Sequence, residues 1–421
     1  MTASKTSSRP LNISIGGLTA AVVLRRNGHH VQVFEAVKIE AEIGAALGAQ
    51  PNALKVLDYI GVSREILKGV PCHGVVRLNA GKIVTLMAFC ESSDEGGIDS
   101  HRSDLYEELK QLATGEGEGP PAKLRFGTKV IACDPENATV TLNSDELILS
   151  DLLLGADGVH SVIRTHIVGS VQNAQDSGWS CFRTVLETSN LRDIPELEWL
   201  SGGISGTRSV VLRGGPFKML FIYPCRNGTL INVVAFYPDS PEDDAAWVPI
   251  ATRHELVAKF REFHPKYLRV FDLPFHSAIH RWKLRMLPVL PTWISGRAAL
   301  LGDAAHASLP LLGQGAAMAI EDAGTLGCLL PAGTRPEDIS ARLQAYQDLR
   351  KERGDFVNRA SFDEIASGFT FPGCKFPYLS QRPLTFYSAA KEIQSYLLEY
   401  DVIQAAKQCY QKRFSPDSLA N

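Results

Sequence analysis

No apolar run in this chain approaches the ~20 residues needed to cross a bilayer, and Met1 to Pro10 lacks the apolar core of a secretory signal. The expected location is therefore the cytoplasm. An excess of one charge is also missing, since 43 Lys and Arg stand against 46 Asp and Glu for a net charge of −3. That balance removes the electrostatic case for nucleic acid or an anionic membrane as partner. The eight cysteines (72, 90, 133, 181, 225, 328, 374 and 409) include no C-x-x-C pair and are expected as reduced thiols. The eleven histidines show no metal-ligand spacing. His276 and His280 are four apart, but FHSAIHRW reads as a strand rather than the helix such a ligand pair uses, so no metal is expected. Repeats and low-complexity tracts are absent too.

What is present is an ordinary globular composition, 45% hydrophobic and 21% charged over 421 residues, long enough for about two to three domains. The most informative stretch is Ala298 to Ala323. Ala298 to Leu301 is a short apolar run suited to a strand buried on both faces, and it delivers Gly302 and Asp303 at its carboxyl end, where open α/β sheets bind ligands. Pro310, Gly313, Gln314 and Gly315 then lead into a helical run from Ala316. Small residues there allow a ligand close to the backbone, and the first helical N–H groups offer unpaired donors.

The chain begins with a βαβ pattern. Leu11 to Ile15 reads as a strand, Gly16-Gly17-Leu18 opens the helix GGLTAAVVLRRNG with Asn27-Gly28 as its C-cap, and Val31 to Glu35 is a second strand. Glu35 lies 18 residues after Gly17, close to the ~20 at which a dinucleotide fold places its ribose-binding acid. The fingerprint G-x-G-x-x-G itself is not intact. Matching its last glycine to Gly17 puts Asn12 and Ser14 at the first two glycine positions and makes the Pro10-containing segment 7–11 the strand, which its proline and polar residues oppose. Keeping LNISI as the strand instead leaves a shortened phosphate loop between Ile15 and Gly16.

Further along, Glu42 to Ala53 is a glycine-rich loop, with Asn52 capping a helix from Ala53 to Ile60. His101-Arg102-Ser103-Asp104-Leu105 opens another helix. Leu124 to Leu154 reads as a β-meander that returns to the sheet at Leu152-Leu153-Leu154-Gly155 and continues into Asp157-Gly158, Ser161 and Arg164. From about Ser170 to Arg285 the segments GWSCFRTVL, RSVVLRG, KMLFIYPC and LINVVAFYP read as a predominantly antiparallel sheet, a natural substrate roof. Arg183 and Tyr223 lie on two of its strands; each reads either as a site residue or as a salt-bridged arginine and a satisfied core tyrosine. Helices at Ser340 to Ala360 and Leu384 to Gln411, separated by a loop from Phe369 to Pro383, end the chain.

Gly302-Asp303-Ala304-Ala305-His306 followed by Gly313-Gln314-Gly315-Ala316 resembles the second flavin-binding motif of the single-component FAD-dependent aromatic hydroxylases, the salicylate hydroxylase and para-hydroxybenzoate hydroxylase group. The Asp157-Gly158 segment and the helix opened by Arg102 resemble elements of the same family, and the likeness runs from Leu11 to about Tyr410. It implies an α/β fold with a Rossmann-like FAD-binding domain of mostly parallel sheet, an inserted β-rich substrate domain and a helical C-terminus. The implied parts are 11–75, 101–169 and 286–365 for the FAD domain, 76–100 and 170–285 for the substrate domain, and 366–421 for the helical region. Cofactor contacts are implied for Gly16, Gly17, Glu35, Gly48, Ala49, Arg102, Asp157, Asp303, Gly313, Gly315 and Ala316, and catalytic roles for Arg183, holding a phenolate, and Tyr223, lining the pocket. The implied activity uses FAD, NADPH or NADH, and O2 to hydroxylate an electron-rich aromatic small molecule through a flavin hydroperoxide. A halogenase shares the fold, but its W-x-W-x-I-P signature is missing. An olefin epoxidase shares every motif, and the shortened phosphate loop, which should weaken FAD binding, leaves room for an inactive isoform.

Overall fold

A computed structural model describes residues 9–15, 17–38, 46–79, 82–88, 96–201, 206–212, 218–239, 249–366, 393 and 395–415. Gly16, and the 39–45 part of the glycine-rich loop, lie outside the described residues, as does the Phe369 to Pro383 loop.

A six-stranded sheet is formed by β1 (Asn12–Ile15), β2 (His30–Phe34), β8 (Lys123–Arg125), β12 (Leu152–Gly155), β19 (Ile294–Ser295) and β20 (Ala298–Leu300), in the order β19-β20-β12-β1-β2-β8. Every pairing is parallel except that of β19 with β20. Its central strands read as nearly continuous apolar runs because helices cover both faces, and Ile13, Leu153, Leu154, Ala299 and Leu300 are fully buried. Helix α1 (Leu18–Arg26) buries Ala20 to Leu24. It crosses a later helix so closely that a Cβ on Gly327 would lie 2.7 Å from Val23 Cβ. Asn27 closes α1 as its C-cap and Gly28 follows with φ +84°, as the Asn-Gly pair predicts.

Between β2 and β8 lie α2 (Pro51–Tyr59), α3 (Arg102–Thr114) and a small antiparallel sheet of β3 (Ala46–Ala49), β7 (Gly97–His101) and β4 (Val70–Cys72), with β7 central. The expected meander is a three-stranded sheet, β9 (Val130–Asp134), β10 (Thr139–Leu142) and β11 (Leu147–Leu149), flanked by β8 and β12 of the parallel sheet. Helix α4 (Val162–Val168) follows β12.

The second large sheet has eight strands in the order β17-β18-β13-β16-β15-β14-β5-β6. They are β5 (Gly74–Asn79), β6 (Lys82–Ala88), β13 (Gln175–Glu187), β14 (Thr207–Leu212), β15 (Lys218–Cys225), β16 (Leu230–Pro238), β17 (Ile250–Ala251) and β18 (Ile279–Met286). All neighbours are antiparallel apart from β14 with β5. Strand periodicity of two divides its residues between faces. Phe182, Leu186, Leu220, Ile222, Val233, Ala235 and Tyr237 pack under α5 (Glu198–Ser201), α6 (Arg253–Lys259) and α7 (Pro265–Leu268). Cys181, Arg183, Val185, Phe221, Tyr223, Asn232 and Val234 belong to the opposite face, as the cross-strand register requires.

After β20 come α8 (Asp303–His306), α9 (Gly315–Leu329), α10 (Ile339–Ala366) and α11 (Val402–Phe414). The arrangement is the mixed α/β fold with a helical C-terminus that the sequence implies. Among the described residues no helix is long and apolar enough to cross a membrane.

Several local expectations are corrected. Helix α2 starts at Pro51, whose missing N–H suits the first helical position, and its N-cap is Gln50 rather than Asn52. The last helix does not run unbroken to Gln411 from Leu384: the chain leaves helical geometry at Tyr400, and Asp401 caps a new helix by accepting from Gln404 N at 2.9 Å. His276 precedes β18 and lies 3.5 Å from Glu187 instead of sharing a strand with His280.

Candidate functional site

The end of β20 turns sharply at Gly302, whose φ of +59° is open to glycine. Gly302 N donates to Asp322 Oδ2 at 2.9 Å, which fixes the turn to α9. Asp303 begins the four-residue α8 rather than ending a strand. Asp303 is exposed, yet the protein close around its carboxylate raises its pKa, with His306 opposing. A loop then leads to Gly313, with φ +63°, and to α9. Gly313 and Ala316 are exposed, and a Cβ added to Gly315 would meet nothing within 4 Å, so the first turn of α9 faces open space. The loop is held from behind: Asn358 Nδ2 donates to Leu287 O and Ala307 O, and Leu309 N donates to Ser361 Oγ.

Beneath this turn is a buried ionic network. Arg350 donates to Asp322 and Glu321, Arg353 donates twice to Glu321, and His306 Nε2 lies 2.7 Å from Asp322 Oδ2. Burial opposes the ionised form of Asp322, yet His306, Arg350 and the Gly302 N–H bring its pKa down to about 2. Arg353 also reaches the carbonyls of Tyr396 and Leu397, which ties the C-terminal segment to the flavin-like turn.

Three buried amides meet in front of that network. Asn52 Nδ2 donates to Gln314 Oε1 at 3.0 Å and to Glu321 Oε1 at 2.5 Å. Gln50 Nε2 lies 3.5 Å from the Cβ position of Gly48 and 3.3 Å from that of Gly313. Gln50 Oε1, Asn52 Oδ1 and Gln314 Nε2 are buried without hydrogen-bond partners. Unmet amide donors and acceptors beside a helix start suit a polar heterocycle carrying both kinds of group. Gly48 and Ala49, on β3, belong to this cluster.

Asp157 follows β12, but its carboxylate serves the start of α4, accepting from Ser161 Oγ, from Val162 N at 2.7 Å and from Ile163 N at 3.2 Å. Ser161 in turn caps α4 by accepting from Arg164 N. Arg164 reaches Val159 O and Ala304 O, joining this loop to α8. Gly17 is the extended N-cap of α1, without a side-chain cap, and its Cβ position lies 3.4 Å from Ala156 Cβ and 3.7 Å from Leu301. Glu35, half-buried at the end of β2, accepts from Val37 N at 2.9 Å. Arg102 is exposed in the first turn of α3.

The sheet face opposite α5 to α7 supplies the other wall. Cys181, Val211, Met219, Phe236 and Leu284 pack with Leu309 and Leu311 of the loop after α8, and Tyr223 and Val185 pack with Ala46 of β3. Arg183 is half-buried, with Nε unpartnered. Tyr223 Oη donates to Ala46 O at 2.8 Å, so its proton ties the two layers together, and burial raises its pKa well above the ordinary phenol value. Gly48, which precedes Ala49 on β3, and Gly313 both border Gln50, Tyr223 packs on Ala46 of the same strand, and Arg183 shares a sheet face with Tyr223; Asp303 opens α8, and Gly315 and Ala316 form the first turn of α9. Asp157, Gly17 and Glu35 lie along strand tips of the parallel sheet, and Gly16 lies outside the described residues.

Sequence reasoning missed Asp99, Gln50 and Gln314. Asp99 is 4% exposed, and burial pushes its carboxyl up to about 8, the Cys72 thiol opposing. The available signal was an acid in the middle of an otherwise short strand, GIDSH. Among the described residues no group of three or more His, Cys, Asp or Glu is arranged to hold a metal ion.

Comparison with known proteins agrees with this geometry. A family model described as FAD binding domain matches residues 14–361. Hispidin-3-hydroxylase of Neonothopanus nambi is 37% identical over 365 residues, covering 83% of this chain and 86% of that protein. The FAD-dependent monooxygenase cfoG of Aspergillus candidus is 30% identical over 414 residues, covering 96% and 94%. A solved salicylate hydroxylase substrate complex superposes with a TM-score of 0.75 at 22% identity, covering 96% of this chain and 99% of the other.

Proposed function

Because this chain belongs to the FAD-binding-domain family of flavin-dependent monooxygenases, and is an oxidoreductase with FAD as its cofactor, we propose that it hydroxylates an electron-rich phenolic small molecule, with NADPH or NADH as reductant and O2 as oxygen source. One observation carries the reading. The loop that leads to the turn at Gly313 to Ala316, and the β3 strand beside Gln50, both pack on the sheet face that bears Arg183 and Tyr223. The hydroxylase named for hispidin supports a phenolic substrate.

The residues fit the flavin end of the cofactor. The open first turn of α9 offers backbone N–H groups, Asp303 offers a carboxylate for ribityl hydroxyls, and the unmet amide atoms suit a ring with both donors and acceptors. Arg102 and Glu35 would serve the nucleotide half. When bound, FAD supplies the redox and oxygen chemistry. The chain's own part is to hold the substrate and exclude water. Arg183 would stabilise the phenolate, whose ring is more nucleophilic than the phenol's. Met219, Phe236, Leu309 and Leu311 form an apolar wall that keeps water from the reacting ring.

A second reading rests on the link between β1 and α1, which is two residues long, Gly16 and Gly17. Such a link offers few backbone N–H groups to a pyrophosphate. The test is the visible spectrum of the purified protein before and after adding FAD, then NADPH oxidation with phenols and product analysis. A flavin spectrum with phenol-stimulated oxidation and a hydroxylated ring supports the hydroxylase; an epoxide product replaces it with the olefin reading. A colourless protein that takes up FAD only after V-G-A-G-I is inserted following Ile15 makes this chain an inactive version.

A further inference from the structure

We infer that Asp99 is a substrate-recognition residue, its carboxyl, seated between Gly48 and Tyr223, hydrogen-bonding a hydroxyl of the aromatic substrate. This rests on the hydroxylase reading above.

Strand parity sets the direction of the side chain. Ile98 and Ser100 face Gly69, each within 3.1 Å of its Cβ position, so Gly97, Asp99 and His101 project from the other side of β7. In register, Asp99 is opposite Gly48 and His101 is opposite Ala46. Ala46 packs on Tyr223, so this is the side that meets the eight-stranded sheet. The missing side chain at Gly48 makes room for the acid: a Cβ there would be 3.1 Å from Asp99 Oδ1. The same glycine borders Gln50, which borders Gly313. Asp99 therefore sits where the flavin-like turn, β3 and the Arg183–Tyr223 face converge.

The groups around it leave it without a cation of its own. Cys72 on β4 and Cys225 on β15 are thiols raised by burial to about 12. Tyr223 commits its O–H to a hydrogen bond with Ala46 O, and its hydroxyl feels both Asp99 and Arg183. His101, on the same face, has Nδ1 2.8 Å from Ser103 Oγ. Asp99 Oδ2 is buried with no hydrogen-bond partner. A carboxyl in that state is a cost that packing does not explain, and a ligand hydroxyl meets it. Largely protonated at pH 7, the acid can donate as well as accept, so it matches a hydroxyl and rejects the methyl ether, which has no proton to give and adds bulk.

The experiment uses FAD-loaded wild type, Asp99→Asn and Asp99→Leu with a panel of phenols that includes hispidin and salicylate, and the O-methyl ether of each phenol turned over. Wild type should prefer the phenol by about tenfold to a hundredfold in kcat/KM, the range a buried polar contact gives. Asp99→Leu should raise KM for the phenol and lose part of that preference, the remainder coming from the phenolate at Arg183, and Asp99→Asn should keep most of it. Wild-type KM should also change through about pH 8, a step absent from Asp99→Asn. If Asp99→Leu does not fold, the pH step decides: its persistence in Asp99→Asn overturns the inference. So does an unchanged KM for the phenol in a folded, FAD-loaded Asp99→Leu. An FAD-loaded wild type whose NADPH oxidation is stimulated by none of the phenols overturns the hydroxylase reading and this one together, a result independent of the variants.

Discussion

Arg350 Nε donates to Asp322 Oδ1 at 2.8 Å with both side chains fully buried, and the same guanidinium contacts Glu321. Replacing Arg350 with Met takes one cation from two buried carboxylates, leaving Asp322 to His306 and Gly302 N and Glu321 to Arg353 and Asn52. Loss of one partner from a buried ion pair costs about 3–5 kcal/mol, and Arg350→Met should lower the thermal midpoint sharply. The network also sets the acid limb. Because Asp322 is held at about 2 when folded against about 3.9 when unfolded, its contribution is complete above the unfolded value and is lost as pH falls towards the folded one. A wild-type stability that stays flat between pH 4 and pH 2 would contradict this assignment.

Asp99 acts with the opposite sign. Its folded pKa of about 8 lies above the unfolded value, so the folded protein holds one extra proton across that interval and loses stability as pH rises through it. The slope is about 1.4 kcal/mol per pH unit at most. Urea midpoints measured from pH 5 to pH 8 should fall in wild type and flatten in Asp99→Asn.

Arg183 stands half-buried with Nε unpartnered, which is where a guanidinium would hold a phenolate. Arg183→Gln should lower kcat/KM about tenfold to a hundredfold, the typical yield of a charge-assisted contact, and move the pH optimum upward, because the substrate must then ionise without help. Equal pH profiles in the two proteins would assign Arg183 to structure alone.

Gly315 and Gly313 separate cofactor binding from folding. Gly315→Ala meets no atom within 4 Å, so the thermal midpoint of the flavin-free protein should be unchanged while FAD affinity drops, as seen by flavin fluorescence titration. Gly313→Ala should cost stability as well, because φ +63° strains an alanine.

The parts of this molecule that the sequence made legible are those whose cause is local. The turn from β20 into α9 and the opening βαβ unit each depend on neighbours within a few residues. Asn52 shows the limit. Beside a helix start an asparagine suggests a cap, but the helix begins one residue earlier, at Pro51, and Glu321, 269 residues away, accepts from the Asn52 amide instead. The sequence places Arg350 and Arg353 on a long helix, but their partners Glu321 and Asp322 on α9 become visible only when the two helices pack. Asp99 was hidden for the same reason, since Gly48 and Tyr223 reach it only after three separate segments assemble.

Along β13 the odd residues Cys181, Arg183 and Val185 belong to the face that packs on β3 and the loop after α8, while Phe182 and Leu186 are sunk beneath the helices. One strand thus carries two nearly independent texts, one turned to the site proposed above and one to the core. Arg183, half-buried between the fully buried Cys181 and Val185, is the letter that can change with least disturbance to the fold, so a descendant of the chain that took another ligand should rewrite it first.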